Sequence, residues 1–488
     1  MNNYLSIDVG TTCCKCQLFS SNGEILKYLS KEYEIKYIDN EPYVNVDAIK
    51  ENLFSMIKEI SNSFDISSIC VSSIGESFVL LDEQDNILFY PMLFADTRGE
   101  EEANEIEKVV DLQRFFEKTG TIPQPYFSVT RLLYIKKHHP ELYQKAHKIL
   151  LMCDYIGYVL TGERMIDYSL ASRTGILNIE ERQFDTEICQ KLGINPSLFS
   201  NVMPMGSIVG NIKESIKKTL GLKNDVVVVL GSHDQICNAI GCGCLHAGEA
   251  TDGLGTAECI TTIFDSKSND VRMGQEGYVI VPYIKKGLYC TYIFNSACNS
   301  ITNWFKNEIK DNKQNFFNEM EEKMDDSIND LYCLPYFAGS LIPHQDSGAK
   351  GAFIGISTST KDYELYKSIL EGLCMEMRFE VENGKKFGIF INSLICTGGG
   401  SLSKKRLQMK ADIQNVNVST LRSQEGGLCG CAIVQAVAMK AFNSYEEALP
   451  TFVKVVDSYQ PRQDKHLAYE PKYQKYIKIY KNIKEFFN

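Results

Sequence analysis

The sequence lacks an apolar run long enough to cross a lipid bilayer. Its most apolar short stretch, VVVVL at residues 226–230, has the length of a β-strand, whereas a spanning helix needs about 20 apolar residues. The first residues, MNNYL, lead directly into a strand-like segment and do not resemble a signal peptide. We therefore expect no membrane partner and a cytoplasmic location.

Positive charge is also in deficit. The chain has 51 Lys and Arg residues against 62 Asp and Glu residues, which gives a net charge of −11. An acidic chain is a poor ligand for nucleic acid or for an anionic membrane, so we expect neither as a partner. Five lysines near the C-terminus recur at every third position, and we interpret them as the solvent-exposed face of a surface helix: Lys472, Lys475, Lys478, Lys481 and Lys484.

Cysteine is present without the spacing that would give it a metal-binding role. The 17 cysteines contain no pair of CxxC motifs, and their density is low for a disulfide scaffold. The clusters at residues 242–244 and 429–431 lie among glycine and alanine, where cysteine packs as a small apolar side chain. We therefore expect free thiols in a reducing compartment.

A linker or low-complexity tract is likewise missing from the 488 residues. A chain of this length is too long to fold around a single hydrophobic core, so we expect two closely packed α/β domains. A strand followed by a small-residue helix ends near residue 245, and a new strand begins at Glu249. We place the domains at residues 1–245 and 246–488.

Two glycine turns, about half the chain apart, each join two strand-like segments. The first is DVGTT at residues 8–12, and the second is DGLGT at residues 252–256. A Gly-Thr turn presents backbone N–H groups and a hydroxyl at one point, which suits phosphate oxygens. The alternative is an ordinary hairpin turn, but the repetition favours a nucleotide held between two related lobes.

Asp234 carries the most informative acidic side chain. It lies in GSHDQ at residues 231–235, directly after a buried strand, and such a carboxylate points into a cleft. The functional interpretation is a general base. The alternative is an N-cap of the following helix, since Asp is favoured there.

Several further segments, taken in order, resemble one family. These are PYFSVTR at residues 125–131, the aspartate-tyrosine pair at 154–155 followed by LTG at 160–162, DYSLASRTG at 167–175, and GAFIGI at 351–356 followed by EL at 364–365 and SILE at 368–371. Together with both glycine turns and Asp234, they are similar to the FGGY carbohydrate kinases. The resemblance implies an actin-like ATPase (ribonuclease H-like) fold with a cleft between duplicated domains, ATP and Mg²⁺ as cofactors, and a small-molecule sugar substrate. It also implies dimers or tetramers, so a homodimer is expected.

The resemblance assigns roles residue by residue. Asp234 is the catalytic base. The sugar site comprises Glu76, Phe94, Tyr126, Asp234 and Gln235. The ATP site comprises Gly10, Thr11, Thr12, Lys15, Gly255, Thr256, Gly399, Gly400 and Ser401, with Asp8 as the Mg²⁺ ligand. For Phe94 the alternative is plain core packing. An ion pair between Asp96 and Arg98 is expected to position the loop that carries Phe94.

Two departures from glycerol kinases affect the substrate. Those enzymes carry an arginine directly before the glutamate that aligns with Glu76, whereas this chain has Gly75, and His233 before the base is also atypical of them. We expect Gly75 to remove a polyol contact and to open space. The expected reaction is therefore phosphorylation of a ketose such as xylulose or fuculose. A glycerol or polyol kinase and a sugar-independent ATPase on the same fold are the alternatives.

Overall fold

Mixed β-sheets form the centre of each half of the chain. The structure is a computed structural model that describes residues 2–310 and 312–487. The strands of the first half are β1 (Asn3–Val9), β2 (Cys13–Ser20), β3 (Ile25–Glu32), β4 (Lys36–Ile38), β5 (Glu41–Tyr43), β6 (Ser68–Ser73), β7 (Phe78–Leu81), β8 (Ile87–Phe89), β9 (Lys148–Leu151), β10 (Met165–Asp167), β11 (Leu177–Asn178), β12 (Gln183–Phe184), β13 (Asn201–Met203), β14 (Ile208–Asn211) and β15 (Val227–His233). Those of the second half are β16 (Glu249–Leu254), β17 (Glu258–Phe264), β18 (Val281–Pro282), β19 (Tyr289–Asn295), β20 (Tyr332–Leu334), β21 (Ala352–Ile354), β22 (Ser393–Thr397), β23 (Asn417–Leu421) and β24 (Val455–Tyr459).

Helices cover these sheets. The first half contains α1 (Val46–Ser61), α2 (Glu100–Val109), α3 (Leu112–Thr119), α4 (Ser128–His138), α5 (Pro140–Lys145), α6 (Met152–Thr161), α7 (Tyr168–Ser172), α8 (Thr186–Leu192), α9 (Glu214–Leu220) and α10 (Asp234–Gly241). The second contains α11 (Arg272–Gln275), α12 (Asn299–Trp304), α13 (Phe316–Lys323), α14 (Asp362–Gly384), α15 (Lys404–Gln414), α16 (Gly426–Ala438), α17 (Tyr445–Phe452), α18 (Gln463–Tyr476) and α19 (Ile479–Ile483). None of the helices in the described ranges is both long and apolar enough for a bilayer crossing.

The two large sheets share one topology. The strand orders are β14-β15-β6-β1-β2-β3 and β18-β19-β17-β16-β22-β23-β24. Each sheet contains an antiparallel meander, β1-β2-β3 or β16-β17-β19. On the other side of the first meander strand, each adds two parallel strands and one antiparallel strand. This repetition confirms the predicted α/β, actin-like architecture of two duplicated lobes.

Strand register brings distant acidic residues to one edge of the first sheet. Strand β1 pairs in parallel with β6, and β6 pairs in parallel with β15. Asp8 is therefore opposite Ser72, and Ser72 is opposite Ser232. Because the carboxyl ends of parallel strands meet at the same edge, Asp8 and Asp234 lie at one edge of the sheet, on the two strands that flank β6, although 226 positions separate them along the chain.

Helices α10 and α16 cross between the two halves with their backbones in contact. A Cβ atom at Gly430 of α16 would overlap the carbonyl oxygen of Cys237 on α10. A Cβ atom at Gly241 of α10 would similarly overlap the carbonyl oxygen of Gly426. The glycines therefore set the distance between the helix that begins at Asp234 and the helix that follows residues 424–425.

We predict that Gly430→Ala destabilises the protein by about 1–3 kcal/mol or more, because the methyl group has no space at the crossing. The measurement is the urea midpoint of unfolding. Gly157→Ala in α6 is the matched control, since a Cβ there meets no atom within 4 Å and alanine favours the helix by up to about 1 kcal/mol. Equal midpoints for the two variants would contradict the prediction.

The C-terminal lysines do not all face solvent. Lys475, Lys478, Lys481 and Lys484 are exposed, but Lys472 is buried. Its ammonium group donates to the Glu371 carboxylate and to a backbone carbonyl. The interpretation of a uniformly solvated face is therefore wrong for Lys472, because α18 presents that position to the carboxylate of α14.

Candidate active site

The first glycine turn joins β1 to β2 and has an acidic side chain at its base. The Gly10 N–H donates within the turn (2.9 Å), and Thr11 and Thr12 are exposed. Asp8 precedes the turn, and its Oδ1 accepts a hydrogen bond from Ser72 Oγ (2.8 Å). Burial raises the pKa of the Asp8 carboxyl, although the hydrogen bond from Ser72 opposes the shift. The turn thus offers a carboxylate, hydroxyls and backbone donors at one place.

Lys15 on β2 has a partner in the second half of the chain. Its Nζ donates to both carboxylate oxygens of Glu425, at 2.9 and 2.8 Å. Tyr28 Oη also donates to Glu425 (3.3 Å). The charge of Lys15 is therefore balanced by Glu425, and a direct contact between Lys15 and phosphate stays a prediction.

The second glycine turn lies against the triple-glycine segment. Gly255 sits between β16 and β17, where its N–H donates within the turn (3.0 Å), and Thr256 is exposed. A Cβ at Gly398 would lie 2.9 Å from the carbonyl oxygen of Leu254, and Gly398 has a φ of 80°. Glycine is required there for both reasons. Two of the three predicted ATP-binding segments, the second turn and residues 399–401, are consequently in contact through Gly398.

Residues 424–427 connect this region to the first turn. The Gln424 Oε1 accepts from the Gly398 N–H (3.2 Å) and from Ser401 Oγ (3.3 Å). A Cβ at Gly427 would lie 3.8 Å from Asp8 Oδ1. The sequence analysis did not include this segment in the site. The signal that could have located it is Gln424-Glu425 directly before a small-residue helix.

Asp234 begins α10 at the sheet edge beside Asp8. Its side chain is 37% exposed, while Oδ1 is buried and has no aligned hydrogen-bond donor among the described residues. Burial, and then repulsion by Asp8, raise the pKa of Asp234 to about 7. His233 occupies the N-cap position and no side chain caps the helix. The capping alternative for Asp234 is therefore not supported, and the carboxylate is available for chemistry.

Glu76 is held by a cation that the sequence analysis did not assign to the site. Arg173 Nε donates to Glu76 Oε1 (2.7 Å), and its NH2 contacts the same oxygen. Both side chains are almost fully buried, and Ser128 Oγ donates to the Glu76 carbonyl (2.7 Å). Burial opposes ionisation of Glu76, but Arg173 and His233 keep its pKa below the usual range. Arg173 was visible in the matching segment DYSLASRTG, although nothing in the pattern paired it with Glu76.

Phe94 is exposed at the surface, where it contacts the half-buried ring of Tyr126, and does not lie in the core. It is 56% exposed, and its ring centroid lies 5.0 Å from that of Tyr126. Buried Arg131 donates to the carbonyls of Leu93 (2.5 Å) and Phe94 (3.3 Å), which holds the loop. The predicted ion pair between Asp96 and Arg98 is also present at 2.5 Å. The core-packing alternative for Phe94 is therefore wrong.

The space expected at Gly75 is filled. A Cβ at Gly75 would lie 3.1 Å from Nε2 and Cδ2 of His233 and 3.5 Å from Cγ of Arg173. The expectation that Gly75 opens the pocket is therefore wrong, because the His233 ring and the Arg173 side chain occupy the volume. Gln235, the other neighbour of Asp234, accepts at Oε1 from Thr261 Oγ1 (3.2 Å).

Known proteins resemble the chain over its full length. The N-terminal and C-terminal domain profiles of the FGGY family of carbohydrate kinases match residues 3–241 and 254–439. A xylulose kinase of Staphylococcus epidermidis is 28% identical over 99% of this chain and 97% of the relative. A gluconokinase of Bacillus subtilis is 25% identical over 91% of this chain and 90% of the relative.

Solved structures agree with the fold. A ligand-bound xylulose kinase from Lactobacillus acidophilus has a TM-score of 0.91 at 23% identity and covers 99% of this chain and 98% of its own. A Plasmodium falciparum glycerol kinase with ADP has a TM-score of 0.88 at 20% identity, over 98% of each chain. Both family domains are thus present in order, on a fold that places Asp8, Asp234 and the glycine turns together. The chain belongs to the FGGY family of carbohydrate kinases and is a phosphotransferase that phosphorylates a sugar.

Proposed function

We propose that this kinase transfers the γ-phosphoryl group of ATP to a hydroxyl of an open-chain ketose such as xylulose or fuculose. Asp234 takes the proton of that hydroxyl while its oxygen attacks the phosphorus and ADP leaves. The observation that carries the proposal is the register that brings Asp8 and Asp234 to one edge of the first sheet, on the two strands that flank β6. The buried Glu76–Arg173 pair lies near His233.

The proposed ATP site follows the contacts between the glycine segments. Phosphate oxygens are bound by Gly10, Thr11, Thr12, Lys15, Gly255 and Thr256, and the adenosine by Gly399, Gly400 and Ser401. Asp8 would hold Mg²⁺ through water, which suits an ion that prefers oxygen ligands and keeps most of its hydration shell. The carboxylates of Asp8 and Asp234 at this sheet edge fit such an ion, which would neutralise phosphate charge.

Charge in the proposed sugar site favours a neutral substrate. Arg173 is already paired with Glu76. Within the described residues, neither Asp8 nor Asp234 forms an ion pair with a Lys or Arg side chain, and the nearby Lys15 is paired with Glu425. Another carboxylate would be repelled here, so a ketose or polyol is favoured over an aldonate such as gluconate. The ring pair of Phe94 and Tyr126 supplies an apolar wall of the proposed site. Gln235, directly after the proposed base Asp234, supplies a polar group. Because Gly75 opens no space, the preference for a ketose over glycerol rests on the full-length xylulose kinase relatives.

The test is an ADP-release assay with purified protein and MgATP against xylulose, ribulose, fuculose, rhamnulose, erythritol, glycerol and gluconate. We expect the highest kcat/KM with a ketose and little ADP release without sugar, because water is excluded when the lobes close. Activity with glycerol alone would replace the ketose proposal by a polyol kinase. ADP release that no sugar accelerates, without a phosphorylated product, would favour a sugar-independent ATPase.

On the acid side of the pH profile, kcat/KM should begin to fall at a pH that is unusually high for a carboxylate. Burial and Asp8 raise the pKa of Asp234 to about 7, with Glu76 raising and Arg173 lowering it, while His233 stays neutral. The base must be deprotonated, so a raised pKa means that kcat/KM for the sugar falls about tenfold per pH unit below about pH 7. The measurement is the profile from pH 5 to 8.5. A rate that is constant down to pH 5 would contradict the assignment.

We also propose that the domains divide at residues 245 and 246, between α10 and β16. The sugar and the base then belong to the first domain, and most of the nucleotide contacts to the second. Limited proteolysis between residues 242 and 249, with and without nucleotide, tests the boundary.

A further inference from the structure

Gly75 and His233, the two departures from glycerol kinases, form one unit in the structure. The His233 ring is 3.1 Å from where a side chain at position 75 would begin. A Cβ at position 75 would require the imidazole to move by a few tenths of an ångström. Gly75 therefore seats the ring of the residue that directly precedes Asp234.

The His233 ring lies between Asp234 and a tyrosine. Its Nε2 is 3.1 Å from Asp234 Oδ1, the buried oxygen that has no aligned donor among the described residues. Its Nδ1 is 3.1 Å from Tyr292 Oη. Burial, and then the charge of Arg173, lower the pKa of His233 to about 3, so the ring carries one proton. A lone pair facing the carboxylate would be repulsive, so Nε2 holds the proton and Tyr292 donates to Nδ1.

Tyr292 belongs to the other half of the molecule. It lies on β19, opposite Thr261 of β17 in the strand register. Thr261 in turn donates to Gln235. The two neighbours of Asp234 in the chain are thus bonded to one cross-strand pair of the second sheet. The position of the second half therefore determines the orientation of the peptide that carries the base.

We propose that Gly75, His233 and Tyr292 form a positioning relay through which the second domain orients the Asp234 carboxylate. The inference rests on the proposed role of Asp234 as general base. Nε2 of His233 contacts Oδ1 at 3.1 Å without the alignment of a full hydrogen bond. Its N–H dipole attracts the buried oxygen and so orients the carboxylate, which leaves the exposed part to accept the sugar proton. None of the three relay residues needs to touch the substrate, so each is a positioning residue.

The central experiment is Tyr292→Phe, which removes one hydroxyl and keeps the ring. We expect kcat for the best sugar to fall roughly tenfold, as for a lost hydrogen bond acting on a charged group, while KM for ATP stays within about twofold. Tyr289→Phe on the same strand is the control, because its hydroxyl makes no hydrogen bond within the described residues, and its kcat should not change. Tyr292→Phe with the parent kcat would overturn the relay.

His233→Gln and His233→Leu separate the polar contact between Nε2 and Asp234 from the packing of the ring. Glutamine can place an amide donor near the position of Nε2, so it should retain several-fold more kcat than leucine. Equal losses in both would overturn the relay. If His233→Leu does not fold, Gly75→Ala is the deciding variant. As a single substitution it should lower kcat, and in the double variant with Tyr292→Phe the two losses should be non-additive. Independent losses would contradict a shared path.

Asp234→Asn, assayed in the same series, distinguishes this inference from the proposed function. A large loss in Asp234→Asn with no loss in Tyr292→Phe would remove the relay and leave the base in place. Full turnover in Asp234→Asn would remove the proposed base and the relay with it.

Discussion

Asp234→Asn is expected to lower turnover by about 10²–10⁴, the usual contribution of general-base catalysis. An amide keeps the size of the side chain but cannot accept the proton of the attacking hydroxyl. The proposed ATP contacts come from other segments, so ATP binding should be retained. The measurements are kcat by ADP release with the best sugar, and the ATP Kd by calorimetry.

Asp225→Asn, two residues before the strand that ends at His233, is the matched control. Its side chain is 82% exposed, and its one ion-pair partner within the described residues is Lys217 (2.6 Å), so both turnover and stability should be unchanged. Near-parental turnover in Asp234→Asn would exclude it as the base. A loss of ATP affinity as large as the loss of kcat would instead indicate a distorted cleft.

Lys410→Met is expected to destabilise the protein by about 3–5 kcal/mol, because it leaves buried carboxylates without their cation. Lys410 is fully buried on α15, and its Nζ lies 2.5 Å from both Asp252 Oδ2 and Glu258 Oε1. Those acids flank the second glycine turn. Methionine fills similar volume, so the loss reflects charge more than packing.

The unfolding of this region can be followed through Trp304, the single tryptophan of the chain, whose ring packs 5.0 Å from Phe337 in the second half. The control is Lys404→Met, on the same helix but exposed, which should stay within about 0.5 kcal/mol of the parent. In the parent, burial raises the pKa of Asp252 to about 7 although Lys410 opposes the shift, and Lys410 and Arg406 keep the pKa of Glu258 below its usual value despite burial. Without the lysine cation, we expect both pKa values to rise in the folded state. That state then binds more protons than the unfolded one, so the deficit relative to the parent should shrink as the pH falls from 8 to 5.5. A deficit below about 1 kcal/mol at pH 8 would contradict the assignment.

The same buried network supports the second glycine turn. Arg406, also on α15, donates to Asn299 Oδ1 (2.9 Å), and Asn299 Nδ2 donates to the Leu254 carbonyl (2.8 Å). A Cβ at Gly400 would approach the Arg406 guanidinium within 2.7 Å. One helix therefore positions both the second glycine turn and the triple-glycine segment. No sequence motif announces Lys410 and Arg406, because their importance depends on contacts with strands about 150 residues away in the chain.

Sequence patterns were sufficient for the family, the duplicated α/β lobes and the acid at the end of β15, because glycine turns and buried strands are local signals. They were insufficient for Arg173, which lies 97 positions from Glu76, and for the filling of the Gly75 space by His233. They also missed the connection between the glycine segments made by residues 424–427. Each of these depends on side chains from separate elements that occupy the same volume.

The sequence by itself determined where backbone must turn and which strands must be buried, since φ preferences and apolar patterning act over a few residues. It therefore determined the two glycine turns and the position of Asp234 in the chain. Only the tertiary structure decided which charges are paired, which oxygen of Asp234 is open, and that Tyr292 from the second sheet faces His233. Those outcomes depend on strand register and on the close helix crossing, which bring together residues that no local pattern relates.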